Sequence, residues 1–322
     1  MINELAWYKL LNVKGLGAKS LLFLYHTIEN NAIQVNDIFD MSENDFYHTF
    51  TKFGSGKFSR VKYENFQELE EDKITSNFQN LINNNIVILP LNDSRYSNNI
   101  KKRLKADAPP VLFCKGNLSL LNSKNISIVG SRDTDDYSLN LTRNLASNLT
   151  KIGFNIVSGY AKGVDTNAHI GALQSEGTTT VVLSLGINNL LIKSDFKKNN
   201  YEEKTLFISQ FLPFERWSGR NAMTRNKIVT SMSEAVIVIT SGPAKNKKGR
   251  ISGTFDAGKS AIEMGIPVFV LNPDNLQNSP IGNKDLINIG GIPFNNVNDI
   301  VNSFQNKSLI NRLKVPKQMT IF

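Results

Sequence analysis

The chain has 322 residues, 40% hydrophobic and 20% charged, so it is long enough for a well-buried core and for two domains. Lys and Arg outnumber Asp and Glu by 37 to 28, and the net charge of +9 favours anionic partners such as nucleic acids or phosphorylated ligands. The single cysteine, Cys114, excludes an intramolecular disulfide, and the scattered histidines His26, His48 and His169 do not suggest a structural zinc site.

The N-terminal segment carries the acidic Glu4 and lacks the apolar core of a signal peptide. No uninterrupted apolar run approaches the ~18 residues that a membrane helix requires. The sequence therefore predicts a cytoplasmic protein without membrane association.

Residues 1–82 show helical spacing of apolar side chains and almost no strand pattern, which predicts a small helical domain. Within it, LLNVKGLGAKSLLFLY resembles a helix-hairpin-helix motif, as in a SAM-like domain. Gly15 and Gly17 would turn the chain so that backbone N–H groups meet a DNA phosphate, with Lys14 and Lys19 adding charge. A hairpin of this kind also serves packing alone, and both interpretations stay open.

Residues 83–306 contain short β-branched runs separated by glycine or polar turns and by amphipathic helical stretches. The predicted strands are 86–91, 111–114, 126–130, 154–159, 179–186, 205–211, 235–240 and 267–272. Strand and helix in alternation indicate parallel pairing, because a crossover helix returns the chain to the same edge. The sequence predicts an α/β domain with a doubly wound, mostly parallel sheet.

Glycines, hydroxyls and cations cluster in the loops that follow these strands and in one segment upstream of a strand. The loop residues are Gly130, Ser131, Arg132, Ser158, Gly159, Lys162 and Gly163, and the upstream segment adds Arg225, Asn226 and Lys227. Ligands of such sheets bind outside the carboxyl ends of the strands. Glycine lets the backbone approach an anion, and Arg or Lys neutralises it. These segments predict a basic rim of phosphate size.

The octapeptide GTFDAGKS, residues 253–260, fits the phosphate-loop pattern of ATPases letter for letter. Its context does not fit, because twelve polar residues separate it from the preceding strand instead of a direct strand-to-loop transition. We predict instead that a helix starts with Ser252 or Thr254 as its N-cap and buries Ala257 and Ala261 against the sheet.

Asp165 and His169 stand at i and i+4 on a predicted helix start, within side-chain reach of each other. No nucleophile is evident beside them. Helix capping and packing explain both residues, so we interpret them as structural.

Several blocks together resemble the DprA/Smf family of DNA-processing proteins. They are APPVLFCKGNLSLL (108–121), IVGSR (128–132), IVSGYAKGVDTNAHIGAL (156–173), TTVVLSLGI (179–187), RNKIVTSMSEAVIVIT (225–240), SGTFDAG (252–258) and MGIPVFVLNP (264–273). The resemblance covers roughly residues 85–273 and implies an extended Rossmann-like domain without a cofactor. It further implies a homodimer that binds single-stranded DNA and helps to load a RecA-type recombinase, without enzymatic turnover.

The resemblance places DNA contacts on the loop residues above and also on Ser252, Gly253 and Thr254. The family's Tyr-Pro after the central glycine turn is missing here, but Lys193, Lys197 and Lys198 keep positive charge in that segment. Phe211, Phe214 and Trp217, just upstream of the arginines, are candidates for stacking on bases. Ordinary core packing is the alternative for all three and is favoured for Phe211.

The C-terminal tail, residues 307–322, is too short for the winged-helix module with which family members often end. Its last residues resemble the peptide by which bacterial proteins dock on the replication sliding clamp, with Gln318, Ile321 and Phe322 as anchors.

An alternative function belongs to a different class. Nucleotide phosphoribohydrolases of the Lonely-guy type share this Rossmann variant and place a Gly-Gly-x-Gly-Thr turn at the same sheet edge. Ser252, Gly253 and Thr254 partly match that turn, and Asp256 loosely matches the acidic residue after it.

Overall fold

The structure of the chain is a computed structural model that describes residues 4–31, 33–51, 63–245, 249, 251–276 and 279–305. The strands in these ranges are β1 Ile86–Pro90, β2 Val111–Gly116, β3 Asn125–Val129, β4 Asn155–Ser158, β5 Thr179–Val182, β6 Thr205–Ser209, β7 Ala235–Val238, β8 Val268–Leu271 and β9 Ile292–Phe294. All eight predicted strands are confirmed, and β9 was not predicted.

Helices precede and connect these strands. They are α1 Glu4–Asn12, α2 Ala18–Asn31, α3 Asp37–Asp40, α4 Glu43–Thr51, α5 Glu64–Gln67, α6 Glu71–Asn83, α7 Asn98–Leu104, α8 Asp136–Lys151, α9 Val164–Gln174, α10 Ser194–Lys197, α11 Gly219–Ser231, α12 Gly253–Glu263, α13 Ile281–Asn288 and α14 Val297–Gln305. None of the described helices is both long and apolar enough to cross a lipid bilayer.

All the described strands form one sheet in the order β1-β2-β6-β5-β4-β3-β7-β8-β9. From β6 to β9 every neighbouring pair is parallel, whereas β2 runs antiparallel to both β1 and β6. The doubly wound, mostly parallel sheet is confirmed, with an antiparallel pair of strands at one edge.

The two faces of the sheet carry different helices, as the alternation of side chains along a strand requires. Ile126 and Ile128 of β3 pack in one core with Leu145 of α8 and Val164 of α9. On the other face, Val236 of β7 packs in a second core with residues of α7, α11 and α12. Helices therefore bury both faces, as is typical of parallel sheets.

The N-terminal helices pack on the sheet and share a core with it. Trp7, Phe46 and Phe50 are fully buried in one cluster with Phe113 of β2 and Phe207 of β6. The helical region predicted for residues 1–82 thus covers the β1-β2-β6-β5 side of the sheet.

Cys114 lies in β2 and is completely buried. Burial raises the pKa of its thiol to about 12, with a smaller lowering by Arg95. The thiol is therefore protonated and unreactive at neutral pH.

The octapeptide that matches the phosphate-loop pattern forms most of helix α12. The Ser252 hydroxyl caps the helix by accepting from the backbone N–H of Phe255. Gly258 and Ala261 face the interior, and exposed Lys259 lies 3.6 Å from Glu263 one turn later. The prediction of a helix start at Ser252 is confirmed, and the backbone N–H groups after the first turn are used within the helix rather than for a phosphate.

Candidate nucleic-acid interface

The candidate site lies at the carboxyl ends of β4, β3 and β7. The strand order reverses at β3, because the chain continues from it to β4, β5 and β6 on one side and later returns to β7 on the other. A crevice at such a reversal is where doubly wound sheets bind ligands. The loop after β3 is fixed across this point, since the backbone N–H of Ser131 donates to the Thr240 hydroxyl at 3.2 Å.

The loop after β3 and the loop after β4 are packed directly on each other. Gly163, the N-cap of α9, has a φ of 82°, and a Cβ atom at this position would lie 2.5 Å from the carbonyl oxygen of Ser131. The next residue, Val164, donates its backbone N–H to that same carbonyl at 3.3 Å. Glycine is therefore required twice over, for the left-handed conformation and for the close approach of the loops.

Arg225 of α11 forms the floor of the site. Its side chain is only 7% exposed, and its Nη1 lies 3.7 Å from Oδ2 of the equally buried Asp165. Its Nε is buried without a hydrogen-bond partner among the described residues. Burial raises the pKa of Asp165 and lowers that of Arg225, and each charge partly opposes the effect on the other. A guanidinium does not lose its proton in a protein, so a buried positive charge lines the site.

His169 fixes the backbone beneath Arg225. Its Nε2 lies 2.5 Å from the carbonyl oxygen of Gly159, and its Nδ1 lies 2.6 Å from the hydroxyl of Thr179. Because a carbonyl only accepts, Nε2 carries the proton. Burial lowers the pKa of the imidazole to about 3, so the ring is neutral. The structural interpretation of His169 is confirmed, whereas Asp165 pairs with the arginine.

A cavity of about 290 Å³ opens above Arg225, and we call it the switch-point pocket. Its lining is Arg132, Tyr160, Ala161, Lys162, Leu183, Ser184, Leu185, Trp217 and Arg225. The Arg132 guanidinium stands 5.7 Å from the centre of the Trp217 ring, and Trp217 is 53% exposed. The pocket thus combines three cations with apolar walls and a half-exposed aromatic ring, a combination that suits phosphates and bases of an unpaired strand.

A larger cavity of about 900 Å³ adjoins the pocket, and Arg132 and Lys162 line both. We call it the α9 groove. Its other lining residues are Asp133, Thr134, Leu139, Arg143, Gly163, Thr166, Asn167, Ile170, Gln174, Lys193, Asp195, Lys198 and Asn199. It holds five cations and two carboxylates.

The structure brings together part of the predicted site. Arg132, Lys162 and Arg225 share the switch-point pocket, and Gly163 and Lys198 line the adjoining groove. Gly159 lies against Arg225, and Gly130 packs against Val164.

Other predicted residues lie elsewhere. The side chain of Ser158 is buried and donates to the carbonyl of Ile128 at 2.6 Å, so it stabilises the sheet. Lys197 is exposed outside the two cavities described above. Lys227 forms an ion pair at 3.2 Å with Asp107, away from Arg225.

Asn226 donates its amide to the carbonyl of Gly253 at 3.0 Å, which ties α11 to the start of α12. Ser252 is occupied as the N-cap, and Asp256 has a pKa raised mainly by partial burial. The Ser252–Thr254 segment therefore acts as a helix start.

The N-terminal hairpin has the predicted shape. Gly15 has a φ of 87° in the turn between α1 and α2, while Val13 and Leu16 are buried beneath it. Lys14 and Lys19 are exposed. The packing role is thereby satisfied, and DNA contact by Gly15, Gly17 and Lys19 stays a prediction. The tail residues Gln318, Ile321 and Phe322 lie outside the described residues.

Arg143 was not predicted from the sequence, and Lys193 was noted there only as a lysine that keeps positive charge in its segment. Arg143 of α8 reaches across to α9, where its Nε donates to the Asn167 side chain at 2.6 Å. Lys193 donates to the Tyr160 carbonyl at 2.9 Å and to the Thr166 hydroxyl at 2.7 Å, and burial lowers its pKa. A run of lysines signalled the segment of Lys193, but nothing in the sequence signalled Arg143.

A Rossmann-like sheet with these cations at its switch point defines an α/β protein with a basic site at the carboxyl edge of its sheet. Residues 87–305 match the family described as DNA recombination-mediator protein A, and the chain belongs to this DprA/Smf family of DNA-processing proteins.

Relatives agree with this assignment. Protein Smf of Borreliella burgdorferi is 26% identical over 268 residues, which are 82% of this chain and 77% of that protein. DNA processing protein DprA of Streptococcus pneumoniae is 31% identical over 200 residues, 62% of this chain and 68% of that one.

The solved structures that are similar to this chain include two DprA proteins. The X-ray structure of Streptococcus pneumoniae DprA has a TM-score of 0.74 at 25% identity and covers 94% of this chain and 98% of that chain. A structure of Helicobacter pylori DNA processing protein A, solved to describe its single-stranded DNA binding mode, has a TM-score of 0.56 at 26% identity and covers 68% of this chain and 95% of that chain.

Proposed function

We propose that this protein binds single-stranded DNA at the switch-point pocket and thereby assists the loading of a recombinase on the strand. Arg225 carries the proposal. A guanidinium that is 7% exposed, lines a cavity and meets the carboxylate of Asp165 only at 3.7 Å leaves positive charge at the cavity wall, which attracts an anion there. A phosphate of a DNA backbone is such an anion.

The neighbours of Arg225 favour an unpaired strand. Arg132 and Lys162 at the mouth would neutralise flanking phosphates, and the half-exposed Trp217 offers a face on which one base can stack. Bases in a duplex are already stacked and paired, so they gain little from that face. The single-stranded binding mode described for the Helicobacter pylori relative supports this choice.

The partners follow from the same assignment. The family description as a recombination mediator supports a RecA-type recombinase as the downstream partner. We propose that the protein acts by binding, as a homodimer in the cytoplasm, and without chemical turnover or a cofactor.

The test is a filter-binding titration of single- and double-stranded oligonucleotides at two salt concentrations. The double variant Arg132→Ala/Lys162→Ala should bind single strands at least about tenfold more weakly, because two charge-assisted contacts are lost. Its salt dependence should also flatten by roughly 0.7 in log–log slope for each lost phosphate contact.

The matched control is Lys102→Ala/Lys124→Ala, which removes two exposed lysines, one from α7 and one from the segment before β3, that line neither of the two cavities. It should leave affinity almost unchanged. Equal affinities of the two double variants for single-stranded DNA would refute DNA binding at the switch-point pocket. RecA-filament assembly on strands coated with each variant tests the mediator role.

The C-terminal tail is proposed to dock on the sliding clamp through Gln318, Ile321 and Phe322. Deleting the last five residues should abolish clamp binding and leave DNA affinity intact. Clamp binding by the shortened protein would remove this part of the proposal.

A further inference from the structure

The α9 groove extends away from the switch-point pocket along a whole helix. Its lining includes Gly163, Thr166, Asn167, Ile170 and Gln174, which recur every three or four positions from the start of α9 to its last residue. Residues at this spacing form one stripe of a helix. At a rise of ~1.5 Å per residue, the groove follows α9 for roughly 16 Å.

Five cations line the groove beside two carboxylates, Asp133 and Asp195. Arg132 and Lys162 stand at its mouth, Arg143 stands on the α8 wall, and Lys193 and Lys198 stand on the wall near α10. Within the described part of the chain, none of these five forms an ion pair, although lysines elsewhere, such as Lys9 and Lys204, pair with glutamates.

The side chain of Arg143 is held in place for such a role. Its Nε donates to Asn167 Oδ1, and the Asn167 amide donates in turn to the Gly163 carbonyl at 2.8 Å. The guanidinium therefore bridges α8 and α9 with other N–H groups left for a ligand. Holding a long side chain this way reduces the entropy that it loses on binding.

The groove differs in chemistry from the pocket. Among the described residues that line it, none is aromatic, and Leu139 and Ile170 are the only ones with an aliphatic side chain. Amides and hydroxyls, such as Asn199 and Thr134, make up much of the rest. Such a surface suits a sugar–phosphate backbone whose bases point outward, and it offers no base a stacking partner.

We propose that the α9 groove binds the backbone of a second stretch of the same DNA strand, continuous with the stretch held at the switch-point pocket. This inference rests on the proposed function. Because stacked nucleotides advance ~3.4 Å each, the groove would add up to about five nucleotides to the site.

The test compares oligothymidylates of about 4 and about 20 nucleotides, which bracket the site sizes common for single-stranded DNA modules. The groove variant Arg143→Ala/Lys198→Ala should bind the short oligonucleotide as the parent does and the long one at least about tenfold more weakly. Lys102→Ala/Lys124→Ala is the control of equal charge and should bind both lengths normally. Arg143→Lys, which keeps the charge, should retain most of the affinity for the long strand.

Trp217→Ala separates this inference from the proposed function, because Trp217 lines the pocket and not the groove. This variant should bind both the short and the long oligonucleotide more weakly than the parent does. If the groove variant matches the control on the long strand while Trp217→Ala weakens binding, the groove inference is wrong and the pocket stands. If the groove variant loses the same affinity for the short and the long oligonucleotide, the groove inference is also wrong. If neither the groove variant nor Trp217→Ala alters affinity, both the groove inference and the proposed function are wrong.

Discussion

The guanidinium of Arg225 lies directly over the backbone of Gly159, and a Cβ atom built on that glycine would be 1.5 Å from Arg225 Nη1. The same Cβ atom would be 2.3 Å from Oδ2 of Asp165. No other residue type leaves room for the buried pair. Gly159 thus determines where the proposed phosphate ligand is held.

Gly159→Ala should therefore displace Arg225 and Asp165 together. We expect a loss of about 1–3 kcal/mol in the free energy of unfolding, as for other overpacked sites, and a clear loss of affinity for single-stranded DNA. Urea unfolding and filter binding measure the two effects. Gly219→Ala, at the start of the same helix as Arg225, is the control, since a Cβ atom there meets nothing within 4 Å. If Gly159→Ala behaves like Gly219→Ala, the close packing is incorrect.

Asp165→Asn should leave the buried charge of Arg225 without its carboxylate. Removing one partner of a buried ion pair typically costs about 3 kcal/mol, so we expect a loss of this size without DNA. Saturating single-stranded DNA should restore more stability to the variant than to the parent, because a phosphate replaces the missing charge. Urea unfolding with and without an oligonucleotide checks this, with the exposed Glu202→Gln as the control. An equal gain for parent and variant would argue against phosphate binding at Arg225.

Acid should destabilise the fold through His169. In the unfolded chain the imidazole has a pKa near 6.5, whereas burial lowers its pKa in the folded state to about 3. Between these values the unfolded state binds more protons, so stability falls as pH falls, by up to about 1.4 kcal/mol per pH unit.

The raised pKa of Asp165 has the opposite sign, since its contribution to stability grows as pH falls through the folded-state pKa. Unfolding measured between about pH 7.5 and about pH 5 should therefore show a smaller pH slope for His169→Gln than for the parent. A substitution of an exposed residue that does not titrate, Gln174→Ala, should keep the parent's slope. An unchanged slope in His169→Gln would contradict the buried, neutral imidazole.

Trp217 should report DNA binding directly. The chain has two tryptophans, and Trp7 is 1% exposed whereas Trp217 is 53% exposed. Stacking of a base on Trp217 should quench the exposed component of the fluorescence, and Trp217→Phe should abolish this signal while keeping most of the affinity. Trp217→Ala should lose about 1–3 kcal/mol of binding free energy. A quench that persists in Trp217→Phe would show that the base stacks elsewhere.

The sheet could be predicted from the sequence because its strands are buried on both faces and appear as short apolar β-branched runs. Strand β9 was not predicted because Ile292–Phe294 has only three residues, with Pro293 at its centre. The direction of β1 and β2 was also not evident, since α7 between them suggests a crossover. In the structure α7 packs against α11 instead of spanning the two strands, so the chain returns antiparallel.

The site was predictable where loops carry it. Gly130, Arg132, Lys162 and Gly163 follow strand ends, and parallel strands bring their ends to one edge. For a residue in a helix, a prediction must also establish which face of the helix carries its side chain. Arg225 and Lys227 are two positions apart, which places them on opposite sides of α11, and this spacing could have separated them.

Arg143 belongs to α8, where the sequence gives no sign of which polar side chain will meet α9. That information arises only when the two helices pack, with Gly171 of α9 fitting against the backbone of Arg143. Contacts between helices therefore set the limit of what the sequence reveals about the groove.

The interior position of Cys114 has a practical consequence. With the sole natural thiol shielded and protonated, a cysteine introduced on the surface becomes the one site that a maleimide dye can modify. Labels placed through Gln174→Cys at the far end of the groove and through Phe214→Cys could then follow the path of a dye-marked oligonucleotide by energy transfer, in a protein that needs no prior removal of cysteines.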